Sequence, residues 1–339
     1  MVGPGPTSWS IDPSAVETYE VRPGLWQLRL PVAWPGISHV NAFLLDRSDG
    51  GVTLVDCGSA GDDSCWDTLV TALGRTGHAI ADVRELVITH AHSDHFGLAR
   101  QVVEESGCRM RMHPAHEAFT DGMDDPDRIH AARGRRALRE GVPPELVHLY
   151  ADIREEAEGC QAPLPGFEPL HDGGSFETVH GTWLALETPG HAPSHLVFHQ
   201  PEQRLLLVAD LVSRIFAPWF DYGYTDDTVA EFAGSLERVS RLDAELALPG
   251  HGRPLEDVAG VVRMHREELV KRLADTMTAV AAGPTHAYGL CARVFEPAGD
   301  ADAAVWQMVE MIAYLRHLRL TGRIERDESG ETFAYRPTA

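Results

Sequence analysis

Lysine is almost missing from this chain of 339 residues: Lys271 is the single one, and arginine supplies the rest of its 29 basic side chains. Alanine and glycine are abundant as well, so the bias is read as one of codon usage and carries no function. Cysteine is sparse. Cys57, Cys65, Cys108, Cys160 and Cys291 are odd in number, widely spaced and form no CxxC pair. That excludes a disulfide framework and predicts free thiols in a reducing cytoplasm. Apolar runs such as 205–209 are strand-sized, far short of the ~20 residues a membrane helix needs. The first residues show no basic segment followed by an apolar one, so no secretory leader is expected. Positive charge is also short, with 51 acidic against 29 basic residues and a net charge of −22. Phosphate surfaces attract cationic proteins, so nucleic acid and anionic membranes are disfavoured partners, and a small-molecule substrate is expected.

What is present is an ordinary folded composition, 43% hydrophobic and 24% charged, with enough apolar material for a core. The length suggests two domains, or one with an appendage. Strand-like runs fall at 25–30, 40–45 and 52–55, the last two joined by the turn Ser48-Asp49-Gly50-Gly51. A helix over 62–73, a strand at 85–89, a helix over 96–105 and a strand at 109–112 follow. Further strands are expected at 183–187, 195–199, 205–208 and 244–248, with a helix over 228–241 before the last. The mixed order predicts an α/β (α+β) arrangement of sheets covered by helices. Residues 114–165 are polar, helix-prone and broken by prolines, and read as a helical insertion, either decoration or a lid. Residues 260–339 read as three helices and a terminal hairpin, the layout of a winged-helix module. Domains are therefore expected at 1–259 and 260–339.

The strongest local signal is Thr89-His90-Ala91-His92-Ser93-Asp94-His95, directly after the apolar strand. Three imidazoles and a carboxylate at the end of a buried strand need partners, and a dipositive metal supplies them. In an extended segment His90 and His92 point to one side. Three more residues occupy strand ends, where sheets gather ligands into a crevice: His191 after Pro189-Gly190, Asp210 after 205–208, and His251 after Pro249-Gly250. Five histidines and two aspartates suit two metals that share one carboxylate and leave room for a bridging hydroxide. The other histidines are expected to be surface or core residues, with His39 and His195 as candidates for the pocket rim.

In their order these motifs resemble the metallo-β-lactamase-fold hydrolase superfamily: Asp56 in LVDCG, then His90/His92/Asp94/His95, His191 in TPGH, Asp210 in LLLVAD and His251 in LPGH. The resemblance covers residues 20–255. It implies an αββα sandwich with a binuclear site at its rim, where His90, His92 and His191 bind one divalent ion and Asp94, His95 and His251 the other. Asp210 would bridge them, and Asp56 would orient a ligand histidine by hydrogen bonding. Zinc is the expected metal, with iron or manganese as alternatives. Two metals lower the pKa of a bound water and polarise the attacked group. Asp94 would hold the nucleophile or return a proton to the leaving group.

Departures from known branches narrow the substrate. Zinc β-lactamases with this pattern commonly carry Cys or Ser at the position of Asp210, and flavodiiron proteins carry Glu at that of His92. Glyoxalase-II enzymes have a Gly-Cys-Gly-Arg-like stretch soon after the bridging Asp, and homoserine-lactone lactonases tend to have Tyr where this chain has Ser213. Phe216, Trp219, Phe220, Tyr222 and Tyr224 would form an apolar wall suited to an acyl chain, with Tyr222 or Tyr224 as a candidate proton donor. With its C-terminal module, the chain looks like the branch that joins this fold to a winged helix. That branch includes acyl and polyketide thioesterases and a single-strand endoribonuclease. From Val261 onward there are 10 Arg/Lys and 11 Asp/Glu, so a structural or dimer-forming module is favoured over a DNA reader. Hydrolysis of a small thioester, ester or lactone is therefore expected. A metal-dependent endoribonuclease and a ligand-sensing winged-helix regulator are the alternatives.

Overall fold

The computed structural model describes residues 17–34, 37–152, 160–161, 165–214, 220, 223–283, 285–299 and 301–338. The chain opens with an antiparallel meander of β1 (Glu17–Arg22), β2 (Leu25–Trp34), β3 (Ile37–Asp46) and β4 (Val52–Val55). Then come α1 (Cys65–Arg75), β5 (Val83–Val87), the short α2 (Ser93–Phe96), α3 (Ala99–Ser106) and β6 (Arg109–Met112). Helices α4 (Glu117–Asp124), α5 (Pro126–Arg139) and α6 (Val147–Ala151) precede β7 (Glu168–Pro169). Strands β4 to β7 run parallel and complete a seven-stranded sheet in chain order. A second sheet has the order β12-β11-β10-β9-β8. Its strands are β8 (Ser175–Thr178), β9 (Gly181–Glu187), β10 (Leu196–Gln200) and β11 (Leu205–Ala209), with α7 (Thr228–Val239) before β12 (Leu246–Pro249). Helices α8 (Val258–Ala281), α9 (Ala287–Val294) and α10 (Ala301–Leu320) and a hairpin of β13 (Ile324–Asp327) and β14 (Ala334–Pro337) follow.

Alternation along the strands builds the layers. Leu205 and Leu207 of β11 join Phe43, Val55 and Trp183 between the sheets, whereas Leu206 and Val208 face outward onto Phe232 and Leu236 of α7 and Val261 and Val262 of α8. The outer face of the first sheet is covered by Leu69 and Leu73 of α1 and Val102 of α3. The expected αββα sandwich is thus the observed mixed α/β architecture. Among the described residues no helix is long and apolar enough to cross a membrane.

The helical insertion is tied down near its end and at its middle. Gln161 donates its N–H to Gly97 O at 3.1 Å and accepts from Gln101 N–H at 3.0 Å. At its middle Phe333 N–H donates to Arg139 O at 2.6 Å and Tyr288 N–H to Glu140 O at 3.1 Å. Tyr335 places its hydroxyl on the buried Glu140 carboxylate at 2.9 Å, and the Arg139 guanidinium stacks 4.3 Å over Phe333. Helix α8 is continuous across residues 259–260. Its first half packs on the sandwich through Val261, Val262 and Leu269, and its last turns pack with α9, α10 and the hairpin through Ala279 and Val280.

One buried charge in this region has a measurable consequence. Burial pushes the Glu310 carboxyl of α10 up to about 7 from 4.5, even though the Tyr314 hydroxyl donates to it. The folded state then keeps a proton that the unfolded chain releases between those values, so stability falls as pH rises through that window. Glu310→Gln retains an acceptor for Tyr314 without the charge. It is expected to raise stability at pH 8 by about 2–3 kcal/mol and to converge on the parent below pH 5, as read from urea unfolding.

Candidate metal centre

Every chemically active side chain comes from the same edge of the sandwich. Strand β5 runs directly into His90, α2 begins at Ser93, β9 leads to His191, β11 to Asp210 and β12 to His251. The turns are held by close packing as much as by chain direction. A Cβ on Gly250 would lie 2.0 Å from Asp210 Oδ1 and 2.7 Å from His95 Cε1, so only glycine lets the loop before His251 pass the carboxylate.

Three imidazole nitrogens converge. His90 Nε2 and His92 Nδ1 are 3.0 Å apart, and His191 Nε2 lies 3.2 and 3.0 Å from them. Nitrogens around one tetrahedral zinc stand about 3.3 Å apart. A second group forms beside it: Asp94 Oδ2 lies 3.1 Å from His251 Nε2 and 3.5 Å from His95 Nε2. Asp210 Oδ2 stands between the two sets, 3.3 Å from His251, 3.5 Å from His95 and 3.8 Å from His191. His90–His92–His191 and Asp94–His95–His251 are each compact enough to hold an ion.

The far side of each ring fixes its direction. Asp56 Oδ2 faces His95 Nδ1 at 2.8 Å while accepting from the Thr89 hydroxyl at 2.8 Å, and its Oδ1 takes the Thr89 N–H at 2.8 Å. Asp56 does this from a left-handed backbone, φ 60°, a strained conformation for a residue with a side chain. His251 Nδ1 donates to the carbonyl of His39 at 2.7 Å, and His90 Nδ1 meets the Thr89 hydroxyl at 3.0 Å. Such bonds fix the outer nitrogens and aim the opposite ones inward.

Burial and the neighbouring imidazoles keep His90 neutral, well below the ordinary histidine range. Burial also opposes charge on His95 and His251, yet nearby carboxylates outweigh it. Asp94, Asp210 and Asp56 raise His95 well above its usual value, and Asp210 and Asp94 push His251 up to about 10. Burial would raise Asp210, but His251 and His95 hold it well below the carboxylate range. Even so, Asp94 Oδ2, His95 Nε2 and Asp210 Oδ1 are buried without a well-formed hydrogen bond, the first two meeting only the ion-pair distances given above. Three unsatisfied polar atoms at one point, in a structure that satisfies most others, mark a place built to receive a cation. The donor set, imidazole and carboxylate, fits zinc, iron or manganese.

Another group of possible ligands, His113, His171 and Glu187, lacks that sign. Ala115 N–H donates to His113 Nδ1 at 3.1 Å, which leaves the ring proton on Nε2, 3.0 Å from Glu187 Oε1. The pair is satisfied as it stands.

The seven residues of the HxHxDH, PGH and strand-end motifs are thus brought together, with Asp56 behind His95. The aromatic wall is different. Phe220 is fully buried in the outer core, 5.4 Å from Phe232 and 6.0 Å from Tyr314, so its ring offers no surface to a substrate; Tyr224 is exposed. Phe216, Trp219 and Tyr222 lie outside the described residues. His39 is buried, with Arg29 and Gly252 N–H on its Nε2, and serves the centre through its carbonyl. Asn41 was not anticipated. Its amide donates to Pro249 O at 2.8 Å and Gly252 O at 3.0 Å, pinning the turn that carries His251. The signal was a lone amide inside the apolar strand 40–45, which had to find partners.

Fold and site together define a metalloprotein of the helix–sheet–sheet–helix sandwich class, its ligands gathered from strand ends. The chain belongs to the metallo-beta-lactamase superfamily, whose profile matches residues 35–251. The probable metallo-hydrolase YqjP of Bacillus subtilis (strain 168) is 27% identical over 259 residues, 72% of this chain and 77% of that protein. A crystal structure of a metallo-beta-lactamase family protein from Thermus thermophilus superposes with a TM-score of 0.81 at 27% identity, covering 94% of this chain and all of that one. More distantly, the atrochrysone carboxyl ACP thioesterase of Aspergillus fumigatus is 24% identical over 200 residues, 57% of this chain and 56% of that protein.

Proposed function

We propose that the protein is a binuclear metal-dependent hydrolase of small acyl thioesters, with related esters and lactones as neighbouring substrates. The observation that carries the reading is the meeting of Asp94 Oδ2, His95 Nε2 and Asp210 Oδ1, buried and without a well-formed hydrogen bond, where two ligand sets converge. His90, His92 and His191 would hold one ion, Asp94, His95 and His251 the other, and Asp210 would serve both. When bound, two divalent ions supply a water of lowered pKa and polarise the attacked carbonyl. The chain's own contribution is positional. Asp94, whose Oδ2 faces His251 and His95 at the centre, is placed to carry a proton between the attacking water and the leaving group. Asp56 and the His39 carbonyl keep two rings from turning, and close packing around the centre excludes bulk water.

The acyl preference rests on three supports. A relative bears the name of an acyl-carrier thioesterase. The net charge of −22 opposes a polyanionic substrate. Phe119 of α4 sets an apolar edge 6.1 Å from the His92 ring and 6.4 Å from Phe96. The three C-terminal helices and hairpin are read as a winged-helix-like module with a packing role, since they share a core with the insertion.

Purified protein is expected to hold about two equivalents of divalent metal and to hydrolyse acyl-CoA thioesters faster than lactones or single-stranded RNA. Mass spectrometry for metal and thiol-release and RNA-cleavage assays read the outcome. Fastest turnover of RNA would move the reading to phosphodiester chemistry. No bound metal and no turnover after reconstitution would remove the enzyme altogether.

A further inference from the structure

The tripeptide Ser194-His195-Leu196, where β10 begins, touches three separate ligand-bearing segments. Ser194 Oγ accepts from Ala91 N–H at 3.1 Å, between His90 and His92. Leu196 N–H donates to the carbonyl of Thr89 at 2.8 Å, and Thr188 N–H donates to that of His195 at 2.9 Å, closing the loop that carries His191. His195 itself is buried, its ring 5.0 Å from that of His90 and 5.6 Å from that of His191. Its Nε2 receives the backbone N–H of Asp210 at 3.2 Å, and its Nδ1 lies 2.8 Å from Thr188 Oγ1. Since a backbone N–H can only donate, Nε2 is the acceptor, and Nδ1 carries the proton given to Thr188. The residue before Asp210, Ala209, has φ 45°, a conformation that L side chains rarely adopt and that needs support from around it.

We infer that His195 is a positioning residue: by holding the Asp210 N–H on Nε2 it fixes the shared carboxylate between the two ligand sets. It is not a ligand, because the lone pair that could bind metal is committed to Asp210. The inference rests on the reading of the cluster as a metal centre and adds a residue that the ligand motifs do not contain. Thr188 acts one step further out, since its hydroxyl selects the ring tautomer that can accept. One residue thereby couples the loop of His191 to the strand end of Asp210, so the spacing of the two metal positions depends on it.

Two isosteric replacements separate this role from simple packing. Glutamine places an oxygen near the position of Nε2 and can keep the Asp210 bond, whereas asparagine reaches only the position of Nδ1 and loses it. In cobalt(II) titrations of the metal-free protein, His195→Asn is expected to bind the second equivalent at least about tenfold more weakly. It is also expected to alter the visible spectrum of the doubly loaded centre. His195→Gln should stay within about threefold of the parent with an unchanged spectrum. Thr188→Val should show a smaller loss that disappears in the Thr188→Val/His195→Gln double variant, and it carries the test if His195→Asn fails to fold. Unchanged affinity and spectrum in His195→Asn, or equal losses in the asparagine and glutamine variants, would overturn the inference. So would unchanged affinity in Thr188→Val if the asparagine variant does not fold. A parent protein that takes up no cobalt would instead refute the metal centre on which the inference rests.

Discussion

Asp94→Asn is expected to lower kcat/KM by about 10³-fold or more and to cut metal content below two equivalents, while the metal-free protein still unfolds cooperatively. The carboxylate has two duties that an amide cannot share. Its Oδ2 is buried and faces His251 and His95 of the same ligand set, so its negative charge is directed at the place a cation would occupy. It is also the one carboxylate of the centre that belongs to a single ligand set, unlike Asp210, which faces both. Asparagine preserves volume and the start of α2, so collapse of the fold does not account for the loss. The pairing of kinetic assays on the best thioester with metal analysis is decisive. Near-parental turnover in Asp94→Asn would show that the second ligand set is dispensable to the chemistry.

Gly190→Ala should be strongly destabilising. The glycine has φ 123°, and a Cβ there would lie 2.4 Å from the backbone nitrogen of Phe232 and 2.5 Å from its Cα. Strain of that kind costs about 1–3 kcal/mol and overpacking about as much again, and neither can be relieved by turning a side chain. A destabilisation of about 3–5 kcal/mol is expected, lowering the melting temperature by roughly 10 °C. His191, the next residue, should be displaced with it and lose metal. Gly234, with nothing within 4 Å of its virtual Cβ, is the control. Gly234→Ala in α7 is expected to be neutral or stabilising by up to about 1 kcal/mol, and an equal loss in both variants would refute the clash argument.

The ligands were legible because each sits where a strongly apolar strand ends in a turn, and such punctuation survives in a linear string. The strands at 52–55 and 109–112 and the helix start at 228 were placed to the residue. Segment ends elsewhere drifted. The helix expected over 96–105 is two, Ser93–Phe96 and Ala99–Ser106, because Asp94 and His95 turn inward to the centre and the chain re-aims at Gly97-Leu98. Strand β1 was not seen, since its exposed pattern on the sheet edge has no apolar alternation to read. The supporting bonds of Thr89, Ser194, Asn41 and the His39 carbonyl were invisible for a different reason. They are made largely with backbone groups of segments up to 212 residues away, and backbone atoms leave no letter in a sequence. Phe220 misled in the opposite way, since an aromatic in a loop reads as a binding wall until the helix packed over it is known.

The docking of the insertion has a consequence for how the protein is made. Arg139 and Glu140 close on Phe333 and Tyr335, residues separated by 195 positions in the case of the Glu140–Tyr335 bond. During synthesis the insertion leaves the ribosome long before the hairpin that secures it exists, while the strands and ligand loops up to His251 already have their partners. The sandwich can therefore close before the insertion is fastened, and loop-closure entropy makes that fastening slow. The hairpin thus acts as a latch for the insertion.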